Sequence, residues 1–150
     1  MQANQVMTTN VVTITPDKDL TYAARLMREH HVGFLVVTNQ AHHGHPVGII
    51  TDRDIVIEVV AVGIDPSTIK TADVMSTKVM IAVENEDILS ITSKMRSMGI
   101  RRAPVISTWG KLVGVITFDD LLSLANSLLN DMTGSIINQI AIEKRLRGHS

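Results

Sequence analysis

Thr51-Asp52-Arg53-Asp54 lies where an apolar run, Val47-Gly48-Ile49-Ile50, gives way to helical spacing, and a junction of that kind is equipped to hold a phosphorylated sugar. The first turn of a helix exposes backbone amides that lack an intrahelical partner and carry partial positive charge, which suits phosphate. Thr51 can cap that turn and also donate to a phosphate or sugar oxygen. Asp54 follows three residues on, one turn along the same face, where its carboxylate can accept both hydroxyls of a ribose. The plainer alternative is that Thr51 and Asp54 simply cap a helix, as most such pairs do. Against it stands a second copy. Gly48 to Ile55 recurs 66 positions later as Gly114-Val115-Ile116-Thr117-Phe118-Asp119-Asp120-Leu121, with Thr117 and Asp120 in the places of Thr51 and Asp54.

The repetition extends through most of the chain. Val6-Met7-Thr8-Thr9 returns as Val74-Met75-Ser76-Thr77, and Leu20, Ala23, Ala24 and Met27 return as Ile88, Ile91, Thr92 and Met95, all 68 positions on. The offset drops by two between these blocks, so the first half holds two extra residues, placed in the loop with His42, His43 and His45. One period repeated twice means one structural unit duplicated, and a two-fold array sets equivalent surfaces face to face. Such an arrangement tends to leave a cleft.

Each unit must carry the elements that position these residues. Apolar positions 20, 23, 24 and 27 have the spacing of one helix face and predict a helix from about 18 to 31, opened after Pro16 and capped by Asp17 or Asp19. Phe34-Leu35-Val36-Val37 and Val47-Gly48-Ile49-Ile50 read as paired strands, and helical spacing returns from Asp52 to Gly63. The second unit repeats the order, with a helix at 88–98, strands at 103–106 and 112–116, and a helix from Asp119 to about Asn126; Trp109-Gly110-Lys111 replaces the histidine loop by a tight turn. The predicted fold is α/β (α+β), with strand-helix-strand-strand-helix at 1–63, a linker at 64–73, the second repeat at 74–128 and a C-terminal helical extension at 129–150.

The bulk composition narrows the function. A chain of 150 residues with 45% hydrophobic and 19% charged residues can bury a core without a staple. Its 14 basic and 15 acidic residues nearly cancel, which argues against a general nucleic-acid binder or a protein held on anionic lipid. The absence of cysteine removes disulfides, thiolate metal sites and a cysteine nucleophile. No secretory signal or membrane-spanning run is visible, so cytoplasm is the expected compartment. No nucleophile-and-base pair or glycine-rich phosphate loop marks an enzyme.

Val-Met at the head of each unit, Thr15-Pro16 before the first helix, Arg101-Arg102-Ala103-Pro104-Val105-Ile106 as a strand and the duplicated Gly-hydrophobic-hydrophobic-Thr-x-x-Asp block together resemble the cystathionine-β-synthase (CBS) domain. Two in tandem resemble a Bateman module, over roughly residues 6 to 63 and 74 to 128. The resemblance implies packing about a pseudo-two-fold axis and two inter-repeat clefts for adenosine-containing ligands: AMP, ADP, ATP or S-adenosylmethionine. It implies a sensor and not a catalyst, a homodimer acting on a separate regulated protein. By family geometry Thr15, Leu20, Gly33 and Phe34 face Thr117 and Asp120, while Val83, Ile88, Arg101 and Arg102 face Thr51 and Asp54. The cleft with two arginines suits a phosphorylated adenosine, and its counterpart an uncharged or cationic one. Val83-Glu84 stands where the first unit has Thr15-Pro16, and Glu84 could repel phosphate there.

Two further features sit outside the repeat. His42, His43 and His45 could chelate a divalent metal, but no nearby carboxylate or cysteine completes a shell, so no metal is expected. Beyond Ala125, Leu129, Met132, Ile136 and Ile140 recur every three or four residues before the basic end Lys144-Arg145-Leu146-Arg147, an amphipathic helix that either lies on its own module or joins two chains. The competing function is a structural or adaptor homodimer whose clefts are vestigial.

Overall fold

The computed structural model describes residues 1–148; positions 149 and 150 of the expected extension lie outside the described residues. In the first repeat, β1 (Thr13–Ile14) leads through α1 (Leu20–His30) into β2 (Phe34–Asn39), which lies parallel to β1 and antiparallel to β3 (His45–Thr51). Asp19 opens α1 by accepting the Tyr22 N–H at 2.8 Å, and His31 closes it in the left-handed region at φ 54°. Of the two aspartates offered by the sequence, the second is the cap. Leu20, Ala23 and Met27 form the buried stripe of α1 and join Ile14, Leu35, Val37 and Ile50 in one core. Burying side chains of this size contributes about 1.5–3 kcal/mol each, which sets the sheet's inner face without any special contact.

After β3 the chain makes α2 (Asp52–Ile55) and then a π-helical turn over Val56–Val60 where ordinary helix was expected. The Ala61 N–H reaches back five residues to the Val56 carbonyl at 2.9 Å. Val56, Ile57, Val59 and Val60 are β-branched, crowd the preceding turn and disfavour the tighter helix.

The second repeat follows the same plan: β4 (Ala82–Val83), α4 (Ile88–Met98), β5 (Arg102–Ile106) and β6 (Leu112–Thr117), with β4 parallel and β6 antiparallel to β5. Asp87 caps α4 through the Leu89 N–H at 3.0 Å, and Gly99 ends it at φ 63°. Each hairpin carries a bulge at the corresponding place, between Val37 and Thr38 and between Val105 and Ile106.

The opening segment of each repeat docks on the other one. Thr8 and Val115 exchange both backbone hydrogen bonds at 2.9 Å, while Ser76 and Ile49 do the same at 2.9 and 3.0 Å. The relation continues backwards: α3 (Thr71–Val74) sits where the Thr71 N–H donates to the Lys18 carbonyl, and the Ala3 N–H donates to that of Glu86. Thr71 and Ala3 are both fully buried, and the Thr71 hydroxyl adds a second bond to the Lys18 carbonyl at 2.9 Å. Ile69, Val74 and Met75 thereby pack on the core of the first repeat. Sequence spacing finds the segments but cannot tell which copy receives them, because both copies present nearly the same surface.

Residues from Phe118 onward form a unit described by itself, the single helix α5 (Phe118–Arg147). The expected short second-repeat helix and separate tail helix are thus one continuous element. No proline interrupts it, and its one glycine, Gly134, costs about 1 kcal/mol relative to alanine, which packing can outweigh. Among the described residues no helix is long and apolar enough to cross a membrane.

Candidate functional site

Thr51 and Asp54 form a reciprocal capping box at the head of α2. The Asp54 N–H donates to Thr51 Oγ1 at 3.1 Å, and the Thr51 N–H donates to Asp54 Oδ2 at 2.8 Å. A box of this type holds both side chains in fixed rotamers and is worth about 1 kcal/mol. It does not exhaust them: the Thr51 hydroxyl keeps its proton to donate, and Asp54 Oδ1 accepts no hydrogen bond among the described residues. Both residues are half-buried. The cap and the binding role are therefore compatible in one geometry, which the sequence posed as alternatives.

The amides of the α2 turn are less open than the sequence suggests. Asp52 Oδ1 accepts the Arg53 N–H at 2.8 Å, and Asp54 has its N–H on Thr51. Two acidic side chains already occupy the positive end of this short helix, so an anion has little to gain there. Asp52 also explains Gly33. The Asp52 N–H donates to the Gly33 carbonyl at 3.0 Å, and a Cβ at residue 33 would lie 3.2 Å from the Asp52 carboxylate.

Positive charge enters from the other repeat. Phe34 pairs with Thr51 across the first hairpin, and Arg102 pairs with Thr117 across the second. The Arg102 guanidinium lies 4.9 Å from the centre of the Phe34 ring, within the range of a cation–π contact. Thr51, Phe34, Arg102 and Thr117 consequently make one row running from sheet to sheet. Phe34 and Arg102 are equivalent residues of the two repeats, and a residue that touches its own equivalent marks a two-fold axis. The far ends of the hairpins meet likewise, with His45 Nδ1 3.2 Å from the Gly110 carbonyl. That contact gives His45 a structural role, and among the described residues no group of three or more His, Cys, Asp or Glu is placed to hold a metal ion.

The remaining expected site residues lie apart from this row. Leu20 and Ile88 are buried in the cores of their repeats and support the helices behind the site. Thr15 borders a polar hollow of about 180 Å³ with Thr13, Lys18, Tyr22, Thr38 and Gln40. Its hydroxyl, followed by the backbone at Asp17, holds the neighbouring Asp17 carboxyl below the usual range. Val83 is half-buried at the end of β4, where it pairs with Ile106, and Arg101 is exposed just before β5. Asp120 belongs to the other unit, as the third residue of α5. The carboxylate of Glu84, which the sequence set against phosphate, turns instead to the hairpin turn and accepts the Thr108 N–H at 3.2 Å. Sequence reasoning assigned Phe34 and Arg102 to different clefts; their direct contact had no signal beyond their equivalent positions in the repeat.

Comparison with known proteins matches this architecture. The CBS domain family model fits residues 3–61 and again 72–127. The chain is 35% identical to protein MK0525 of Methanopyrus kandleri over 83% of its own length, and spans 62% of that relative. With the CBS domain-containing protein YhcV of Bacillus subtilis it shares 34% identity over 90% of this chain and 91% of the other. Among solved structures, the CBS domain pair of protein MJ0100, in complex with 5'-methylthioadenosine and S-adenosyl-L-methionine, superposes with a TM-score of 0.71 at 25% identity, covering 85% of this chain and 97% of that one.

Proposed function

The chain belongs to the CBS domain family as a tandem pair, and we propose that it is a regulatory module that binds an adenosine-containing ligand and passes its occupancy to a separate partner protein, acting as a homodimer. The observation that carries this reading is the row joining Thr51, Phe34, Arg102 and Thr117, next to an Asp54 whose Oδ1 accepts no hydrogen bond among the described residues. The ribose hydroxyls go to Asp54 and Thr51, an arrangement a carboxylate and a hydroxyl serve well. Phosphate goes to Arg102 and Arg101, since the head of α2 is already acidic. Val83 borders the apolar side of that cleft with Ile88 behind it in the core; in sequence, Thr117 holds the place of Thr51 and Asp120 that of Asp54. The adenosine ligands named with the MJ0100 domain pair support the ligand class, with AMP, ADP, ATP and S-adenosylmethionine as the members to test.

A ligand that binds only the folded state raises the melting temperature, by about 2.7 kcal/mol of added stability at a hundred times its Kd. Thermal unfolding with millimolar AMP, ADP, ATP or S-adenosylmethionine is expected to show that rise for at least one member. In Asp54→Ala, measured against its own ligand-free melting point because the cap is lost too, the rise disappears. No rise for any member favours the adaptor reading. Arg102→Ala is expected to weaken phosphate-bearing ligands at least tenfold and adenosine less than threefold, measured by titration calorimetry. Equal losses contradict the placement of phosphate at Arg102.

A further inference from the structure

The half of α5 beyond the repeat has no counterpart in the first repeat, whose helical segment ends near Val60. Leu122, Ala125, Leu129, Met132, Ile136 and Ile140 lie along it at spacings of three and four, and all are exposed. Leu129 is 60% exposed, Met132 65% and Ile136 60%. These residues run along one side of the helix, with exposed Leu128 and Ile137 at its margins, and an apolar face of this length does not stay in water when a matching one is at hand.

The distribution of charge selects the partner and its direction. The first turn of α5 holds Asp119 and Asp120, and the last turn holds Lys144, Arg145 and Arg147. Two copies side by side and parallel would align like charges at both ends. Antiparallel, each acidic end meets a basic one. The seam fits the same direction: Leu129 meets the partner's Met132, and the small Ala125 meets the partner's Ile136, so large and small residues alternate.

We infer that two copies of this chain join through an antiparallel pairing of their α5 helices, centred between Leu129 and Met132. This rests on the homodimer in the proposed function and adds its contact surface and polarity. In such a pair, equivalent positions far from the centre are remote from each other. Position 125 therefore approaches 136 of the other copy but never its own equivalent.

The chain has no cysteine, so disulfide trapping is clean. Ala125→Cys and Ile136→Cys chains are prepared separately, mixed, allowed to exchange and oxidised with copper phenanthroline. The mixture is expected to yield a covalent dimer, and each variant alone is expected to stay monomeric on a non-reducing gel. A covalent dimer from Ala125→Cys alone means a parallel pair and overturns the inference. A dimer by sedimentation that never crosslinks in the mixture means another face joins the copies, which overturns the inference and leaves the homodimer. A monomer at 100 µM overturns both, while ligand-induced stabilisation, read separately, still judges the sensor. As a second variant, Ile136→Glu is expected to raise the dimer Kd at least tenfold with an unchanged circular dichroism spectrum; an unchanged Kd overturns the pairing.

Discussion

Gly114→Val lowers the unfolding free energy by about 3 kcal/mol, at the upper end of what overpacking a filled site costs. A Cβ at residue 114 would stand 2.5 Å from Met7 Sδ, 2.8 Å from Met7 Cγ and 3.0 Å from the Thr8 carbonyl oxygen. The thioether can swing aside, but the carbonyl cannot, because Thr8 and Val115 hold each other by two backbone hydrogen bonds. Gly48 has the same surroundings in Met75 and Ser76, at 2.6 and 3.1 Å, and Gly48→Val has an effect of similar size. Urea denaturation reads the change. Adding Met7→Ala to Gly114→Val returns part of the loss, and a midpoint that Gly114→Val leaves unmoved would show that the opening segment is not seated on β6.

Ile50→Ala and Ile116→Ala each remove about 3 kcal/mol, and by nearly equal amounts. Both side chains have 0% exposure and occupy equivalent places in the two hairpins. The more informative part of the result is the shape of the transition. Because Ile69, Val74 and Met75 complete the first core while Ala3 and Met7 sit on the second repeat, neither repeat keeps its full packing once the other opens. Both variants are expected to unfold in one step, with amide exchange accelerated equally in β2 and β5. A two-step transition in Ile50→Ala, with β5 still protected, would mean that the exchanged segments do not couple the repeats.

Local spacing carried most of this fold. Leu20, Ala23 and Met27 gave α1 its face, Gly110 marked the second hairpin turn, and the block around Thr51 placed a strand-to-helix junction where β3 meets α2. What spacing could not carry was partnership. The reciprocal bond between Thr51 and Asp54 is local, so sequence reached it, but as one of two alternatives that the geometry shows to coexist. The seating of Met7 and Met75 depends on which of two near-identical surfaces receives them. The contact of Arg102 with Phe34 depends on the axis, and the occupation of the α2 amides by Asp52 depends on a rotamer. Helical periodicity predicts ordinary helix after α2, and periodicity carries no sign of the π-helical turn at Val56–Val60.

The unlike pair on the axis has a bearing on how a duplicated chain avoids mistaken assembly. Had the first repeat kept arginine where Phe34 stands, two guanidinium groups would oppose each other; had the second kept phenylalanine, either repeat would accept a twin of itself. With one ring and one cation, a second repeat meeting another second repeat sets charge against charge and forfeits the cation–π attraction. The single contact therefore weighs against the pairing of two second repeats and leaves the covalent sibling the better match for the repeat that carries Arg102.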